Sequence, residues 1–187
     1  MAQPLIPETQ RPSDALTMDR TELEGELKRL HAESWGWALA CAGRDRALAE
    51  DALQTSYLKV LSGRARFGDR SSFKSWLFGV IRLTVMEELR RANRWRADGS
   101  ELEISRAVDS APGADVMTEE GERNAALVAA MAGLSDRQRE VLYLVFYHGM
   151  TIEEAAGVLG ISVGSARTHY DRGKKALAGQ INEVDVR

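Results

Sequence analysis

The stretch from Leu134 to Leu177, LSDRQREVLYLVFYHGMTIEEAAGVLGISVGSARTHYDRGKKAL, decides how the chain is read, because its cap residues and apolar spacing spell successive helices with a tight turn before the last. Ser135 with Gln138, and Thr151 with Glu154, each fit a capping box, in which a hydroxyl and a side chain three residues on satisfy orphan N–H groups at a helix start. After Thr151, the residues Ile152, Ala155, Ala156 and Leu159 recur at i, i+3, i+4, i+7, and Gly160 can take the left-handed backbone that ends a helix. Ile161 and Ser162 form the turn. Ser162 then caps a third helix in which Val163, Ala166, Tyr170 and Leu177 share one face, and that face is predicted to be core.

At 100° per residue the opposite side of this helix carries Gly164, Ser165, Thr168, Asp171, Arg172 and Lys175, flanked by Arg167 and Lys174. A helix fits the major groove of B-DNA, where Arg and Thr side chains bond base edges or phosphates. A polar face on an ordinary helical bundle is the plain alternative. Helix, short glycine-containing turn and outward Arg, Ser and Thr together favour DNA.

Composition bounds the rest. The chain has 187 residues, enough for one or two domains, and 44% hydrophobic residues, enough for packed cores. No apolar run approaches the roughly 20 residues that cross a bilayer. The start, MAQPLIPETQRPSD, has neither a basic cluster nor an apolar block, so a cytoplasmic location is expected. Cys41 has no partner for a disulfide and, with only His31 nearby, no metal-ligand set; a buried, inert thiol is expected. A net charge of −3 confines any DNA contact to local patches.

Charge is segregated along the chain. From Gly99 to Glu122 seven acids (Glu101, Glu103, Asp109, Asp115, Glu119, Glu120, Glu122) face one base, Arg106, among Pro, Gly and Ser and without apolar period. This predicts a flexible acidic linker. The expected organisation is a disordered tail over 1–18, a first domain over 19–98, the linker over 99–122 and a helix-turn-helix domain over 123–187. Between Lys59 and Arg96, ten bases face three acids, which gives the first domain a basic strip.

That domain also reads as helical, with almost no strand signal anywhere. Thr21 with Glu24 suggests a capping box ahead of Leu23, Leu27 and Leu30. Ala47 to Leu61 forms a second candidate, with Leu53, Tyr57, Val60 and Leu61 on one face and Gly63 as a stop. A longer helix begins near Ser72, where Trp76, Leu77, Val80, Ile81, Val85 and Leu89 trace a stripe that leaves Lys74, Arg82, Arg90 and Arg91 largely outside. Aromatics interleave with the bases: Arg64, Arg66, Phe67, Arg70, Phe73, Lys74, Trp76, Phe78. Such a mixture suits unpaired DNA, in which cations follow the backbone and rings receive bases. For any single ring, core packing is the ordinary account.

These parts, in this order, resemble a bacterial sigma factor of the extracytoplasmic-function group of the sigma-70 family. AEDALQTSYLKVL, Ala49 to Leu61, is similar to that family's acidic-plus-Gln helix, and SFKSWLFGVIRLTVMEELRRANR, Ser72 to Arg94, to its Trp-containing helix with a basic end. LSDRQREVLYLVF and TIEEAAGVLGISVGSARTHYDRGKKAL complete the likeness, which runs from about Thr21 to Ile181.

The resemblance implies an all-α fold of a sigma-two-like bundle and a sigma-four-like four-helix domain. It further implies RNA polymerase core, through its β′ clamp helices and β flap, as a partner, with Glu50, Asp51 and Gln54 contributing contacts. Promoter DNA is the second implied partner. Ser165, Arg167, Thr168, His169, Asp171, Arg172 and Lys175 would meet the minus-thirty-five element. Arg64, Arg66, Arg70, Lys74, Trp76, Arg82, Leu83, Glu87, Arg90 and Arg91 would line the path of the melted minus-ten strand. An anti-sigma factor or another protein regulator is expected as a third partner. Departures from the family pattern stand at Leu83 and Glu87, where Asn and Asp are frequent, and at His169, where Arg is common. Asp171 can accept from a cytosine amino group but repels phosphate.

No catalysis, metal or cofactor is expected: His31, His148 and His169 are far apart in sequence, and no phosphate-cradling glycine loop appears. His148, before Gly149, reads as a helix-end residue favoured by the dipole. Two other functions remain open at this stage, a stand-alone helix-turn-helix regulator and a helical adaptor that has lost DNA binding.

Overall fold

The computed structural model describes residues 18–68, 70–97 and 133–184, and among them every regular element is helical. The tail over 1–17, the acidic stretch over 99–122 and the first residues of the second domain lie outside the described residues. Helices α1 (Arg20–Arg29), α2 (His31–Cys41), α3 (Arg46–Leu61) and α4 (Phe73–Ala97) form the first unit. Helix α5 (Asp136–Leu142), a π-helical turn (Tyr143–Tyr147), α6 (Ile152–Leu159) and α7 (Val163–Val184) form the second.

Local chemistry accounts for the boundaries. The cap of α1 lies two residues earlier than the sequence suggests: Asp19 and Glu22, not Thr21 and Glu24, bond reciprocally as a capping box. An aspartate accepts strongly at a helix start, so the helix begins at the first site where both partners fit. Helix α2 was not expected as a separate element. It follows α1 across Leu30 alone, without a side-chain cap, so nothing in the local composition marks the break. Asp45 caps α3 through the Leu48 N–H, and Ser72 does the same for α4 through Ser75 N–H at 3.1 Å.

In the first unit α2, α3 and α4 pack around Leu30, Trp37, Ala49, Ala52, Leu53, Leu77, Phe78, Ile81 and Val85, all essentially without solvent contact. The Trp37 indole N–H donates to the Phe78 carbonyl at 2.9 Å, satisfying the one polar atom of a fully buried ring. Phe67, Phe73 and Trp76 make a second aromatic cluster, with centroids 5.3–5.4 Å apart, beside the turn into α4. Phe73 and Phe78 are thus core residues.

In the described part of the second unit the helices begin where the sequence suggests. Ser135 with Gln138 and Thr151 with Glu154 form their capping boxes, Gly160 sits at φ 64°, and Ser162 Oγ accepts from Ser165 N–H at 3.1 Å. Ala166 and Gly173 are buried on the inner face of α7, and a Cβ on Gly173 would lie 2.7 Å from Leu142 Cδ1. Val163 departs from the expected stripe: it is 39% exposed, because it lies at the helix start, beyond the packed part of α7.

The units are docked on one another, and one apolar core runs through both. It joins Trp37, Phe78 and Ile81 of the first with Val141, Leu144, Met150, Ala155, Val158 and Leu159 of the second. Gly79 of α4 brings the α6 backbone close: a Cβ there would lie 4.0 Å from the Val158 carbonyl oxygen.

Candidate nucleic-acid interface

The turn between α6 and α7 sets the first candidate surface. Because Gly160 ends α6 in the left-handed region and Ser162 caps α7 at once, the second helix leaves at a fixed angle with its apolar stripe against α5 and α6. Its outer side is therefore fixed as well. Ser165, Arg167, Thr168, Asp171, Arg172 and Lys175 are all exposed, and His169 is half-buried. The hydroxyls are locally engaged: Ser165 Oγ lies 2.9 Å from Ser162 Oγ, and Thr168 Oγ1 donates to the Gly164 carbonyl at 3.0 Å. Arg167 reaches Glu153 at 3.5 Å across the turn, a solvent-exposed pair of little energetic weight. Lys174 lies 5.3 Å from the centroid of Tyr170.

The second surface lies on α4 and the loop before it. Arg64, Arg66, Arg70, Arg90 and Arg91 are exposed, Leu83 is 58% exposed, and Arg91 pairs with Glu88 one turn back. Trp76 is half-buried in its aromatic cluster. Glu87 is exposed but bonded by Lys59 at 2.6 Å, and Lys59 also donates to Thr84 Oγ1 at 3.1 Å.

Two of the expected basic contacts are not on this surface. Arg82 was expected outside the apolar stripe, yet its residue is 5% exposed: its guanidinium donates to Glu140 of α5 through Nε at 2.9 Å and Nη2 at 3.4 Å. The apolar stripe of α4 faces the first unit, and the second unit covers the next face of the helix. Lys74 is held in the same way. Its ammonium pairs with Glu33 at 2.5 Å and donates to the His148 carbonyl at 3.1 Å.

His148 ends the π-helical turn, as expected of a helix-end residue, but it is not held there by the dipole alone. Its side chain is fully enclosed, 3.2 Å from Glu33 Oε2 through Nδ1, edge-on to Phe78 at 4.7 Å, with Nε2 buried and unpaired among the described residues. Burial pushes its pKa below the usual value, against the pull of the Glu33 hydrogen bond. The Glu33 carboxyl is lowered, chiefly by its hydrogen bond from Lys74. Burial raises the Tyr143 hydroxyl to about 12, and it pushes the Cys41 thiol well above its usual value, which agrees with an inert cysteine.

The third surface is the outer face of α3, where Glu50, Asp51 and Gln54 are exposed side by side and Gln54 Nε2 lies 3.4 Å from Glu50 Oε1. Leu58, one turn further along the same row, is 67% exposed. Sequence reasoning passed over it, although its absence from the Leu53, Tyr57, Val60, Leu61 face was the signal. Phe146 and Tyr147, 62% and 71% exposed on the π-helical turn, were passed over too.

Sequence and fold comparisons give this geometry its family. Residues 27–96 match Sigma-70 region 2, and residues 124–177 match Sigma-70 region 4. The chain is 31% identical over 145 residues to the ECF RNA polymerase sigma factor EcfG of Rhodopseudomonas palustris, covering 76% of this chain and 75% of that one. It is 29% identical over 161 residues to the RNA polymerase sigma factor CarQ of Myxococcus xanthus, covering 86% and 90%. Among solved structures the fold is similar to that of the sigma factor RpoE from Bartonella quintana, in complex with the anti-sigma factor NepR. The TM-score is 0.67 at 22% identity, covering 87% of this chain and 98% of that one. Both regions in the expected order, and identity that spans them, mean that the chain belongs to the extracytoplasmic-function group of sigma-70 RNA polymerase sigma factors, the proteins that direct promoter recognition and transcription initiation.

Proposed function

We propose that this chain divides promoter recognition between its two units, an architecture of residues 19–98 and 123–187 joined by an acidic tether over 99–122. The exposed face of α7, from Ser165 to Lys175, reads the minus-thirty-five duplex. Arg64, Arg66, Arg70, Arg90 and Arg91, with Leu83 between them, follow the melted minus-ten strand. The α3 row of Glu50, Asp51 and Gln54 docks on the polymerase clamp helices, where acidic and amide groups pair with a basic partner. The observation that carries this reading is the outward face of α7, polar and exposed along its length and set at a fixed angle by a doubly capped turn.

In this role the chain carries no catalytic chemistry of its own and works in the cytoplasm, where the polymerase is. No helix among the described residues is long and apolar enough to cross a membrane. The RpoE–NepR complex, and that of CnrH with the cytosolic domain of CnrY, with a TM-score of 0.58 at 20% identity, support an anti-sigma factor as the regulator here.

Mixing the purified chain with core polymerase and a library of promoter fragments tests the whole reading. Transcripts that start at defined sites only when the chain is present are the expected result. DNA binding without polymerase would instead make it a stand-alone regulator, and polymerase or protein binding with no effect on DNA would make it an adaptor.

A further inference from the structure

The middle of α4 breaks the pattern of the edge on which it lies. At 100° per residue, Trp76, Val80, Leu83, Glu87, Arg90 and Arg94 fall within a band of about 80° on one side of the helix. Trp76 and Val80 are half-buried against the core, whereas Arg90 and Arg94 stand exposed at the far end. Leu83, between them, is 58% exposed and, among the described residues, takes no part in the apolar core. A single exposed leucine is ordinary on a protein surface. This one is distinguished by its neighbours.

The charged groups beside Leu83 are already engaged. Arg82, one residue before it, is turned away to Glu140, and the side chains of that pair are 6% and 17% exposed. Glu87, one turn on, is bonded by Lys59 at 2.6 Å, and Lys59 also donates to Thr84 Oγ1 at 3.1 Å. These neighbours leave no cation for a phosphate. A strand that follows the exposed Arg66 and Arg70 before α4, and Arg90 and Arg91 toward its end, therefore passes Leu83 with a base edge toward it and its backbone away. A leucine side chain neither donates nor accepts a hydrogen bond, so it discriminates bases by apolar contact alone. Of the four bases, only thymine carries an apolar group on that edge, its C5 methyl.

We propose that Leu83 selects thymine at one position of the minus-ten element through this methyl group, with Lys59 holding the Glu87 carboxylate aside. The inference rests on the promoter reading above and gives one of its contacts a base. Withdrawing a single carbon group of this kind from water is worth about fourfold in binding.

Deoxyuridine pairs as thymidine does but lacks the methyl, so the first test needs no change to the protein. A fragment that supports transcription by core polymerase and the full-length chain is remade with deoxyuridine at each thymine of its non-template minus-ten strand in turn, and open-complex formation is measured. One position is expected to lose about fourfold. Leu83→Ala favours the helix and empties no core site. It is expected to lose at least as much on the unmodified fragment and nothing further from deoxyuridine at that position, a coupling that an effect of the methyl on DNA stacking alone would not give. Sensitivity at no position, or an equal further loss with Leu83→Ala, would overturn the inference while leaving the chain a promoter-reading factor. So would weaker binding of Leu83→Ala to core polymerase without DNA, which would give Leu83 to a protein partner. Absence of transcripts from every fragment would remove the promoter reading itself, and this inference with it.

Discussion

Arg172 and Asp171 stand next to each other on the exposed side of α7, and their opposite charges give them different tasks in a groove. A guanidinium can fork onto guanine, whereas a carboxylate accepts from cytosine or orients a neighbouring cation. Arg172→Ala is therefore expected to cost about 1–3 kcal/mol in promoter binding and to relax preference at a single base position. Competition binding against fragments varied one base at a time checks it, and a uniform loss across all fragments would reassign Arg172 to phosphate. Arg82 makes the complementary point. Its side chain was expected in solvent because its helical angle lies off the apolar stripe, but its partner, Glu140, is 58 residues away and across the acidic stretch. A pairing of that range leaves no mark in local periodicity.

Among the elements, the caps of the second unit were legible, the cap of α1 was placed two residues late, and elements without a side-chain cap were not seen. α5, α6 and α7 begin where Ser135, Thr151 and Ser162 say they should, because a side-chain acceptor and an N–H three residues on are both written in the sequence. α2 was missed because Leu30 offers no acceptor, and the π-helical turn at Tyr143–Tyr147 was missed because an apolar, aromatic run has the same composition in either helix type. The exposure of the α7 and α3 faces was legible in proportion, while the pairing of Glu33, Glu140 and His148 with side chains of α4 was not. The stripe of α7 also concealed its tightest contact. Gly173 continues the face of Ala166 and Tyr170, and there α7 crosses α5 against Leu142. Gly173→Ala improves helix propensity yet overpacks that crossing, so a net loss of about 1–3 kcal/mol is expected, seen as a lower denaturation midpoint with an unchanged denaturant slope.

On the scale of the whole molecule, the joint between the units responds to acid. His148 is faced by Glu33 of α2, by Lys74 and Phe78 of α4, and by Tyr143 and Tyr147 of its own turn. Its pKa is depressed in the docked form, and released to solvent it titrates near 6.5. As pH falls through that value the open form takes up a proton that the docked form refuses, so docking weakens. Glu33 is lowered chiefly by Lys74 of its own unit, so only the smaller part that comes from His148 is tied to docking. The radius of gyration of the free chain is expected to rise between about pH 7 and 5.5, and His148→Gln is expected to abolish this rise. A wild-type profile that is flat over the range would dissociate His148 from the joint.

One helix, α4, bears the core of the first unit on one side, the seat of α6 on the next, and an exposed basic edge on a third. Because each residue advances the helix by 100°, deleting a single position in its middle would turn everything downstream onto the neighbouring side. Interior, hinge seat and nucleic-acid edge would all be exchanged at once. A substitution in α4 therefore alters one position, whereas a change of its length alters every position beyond it.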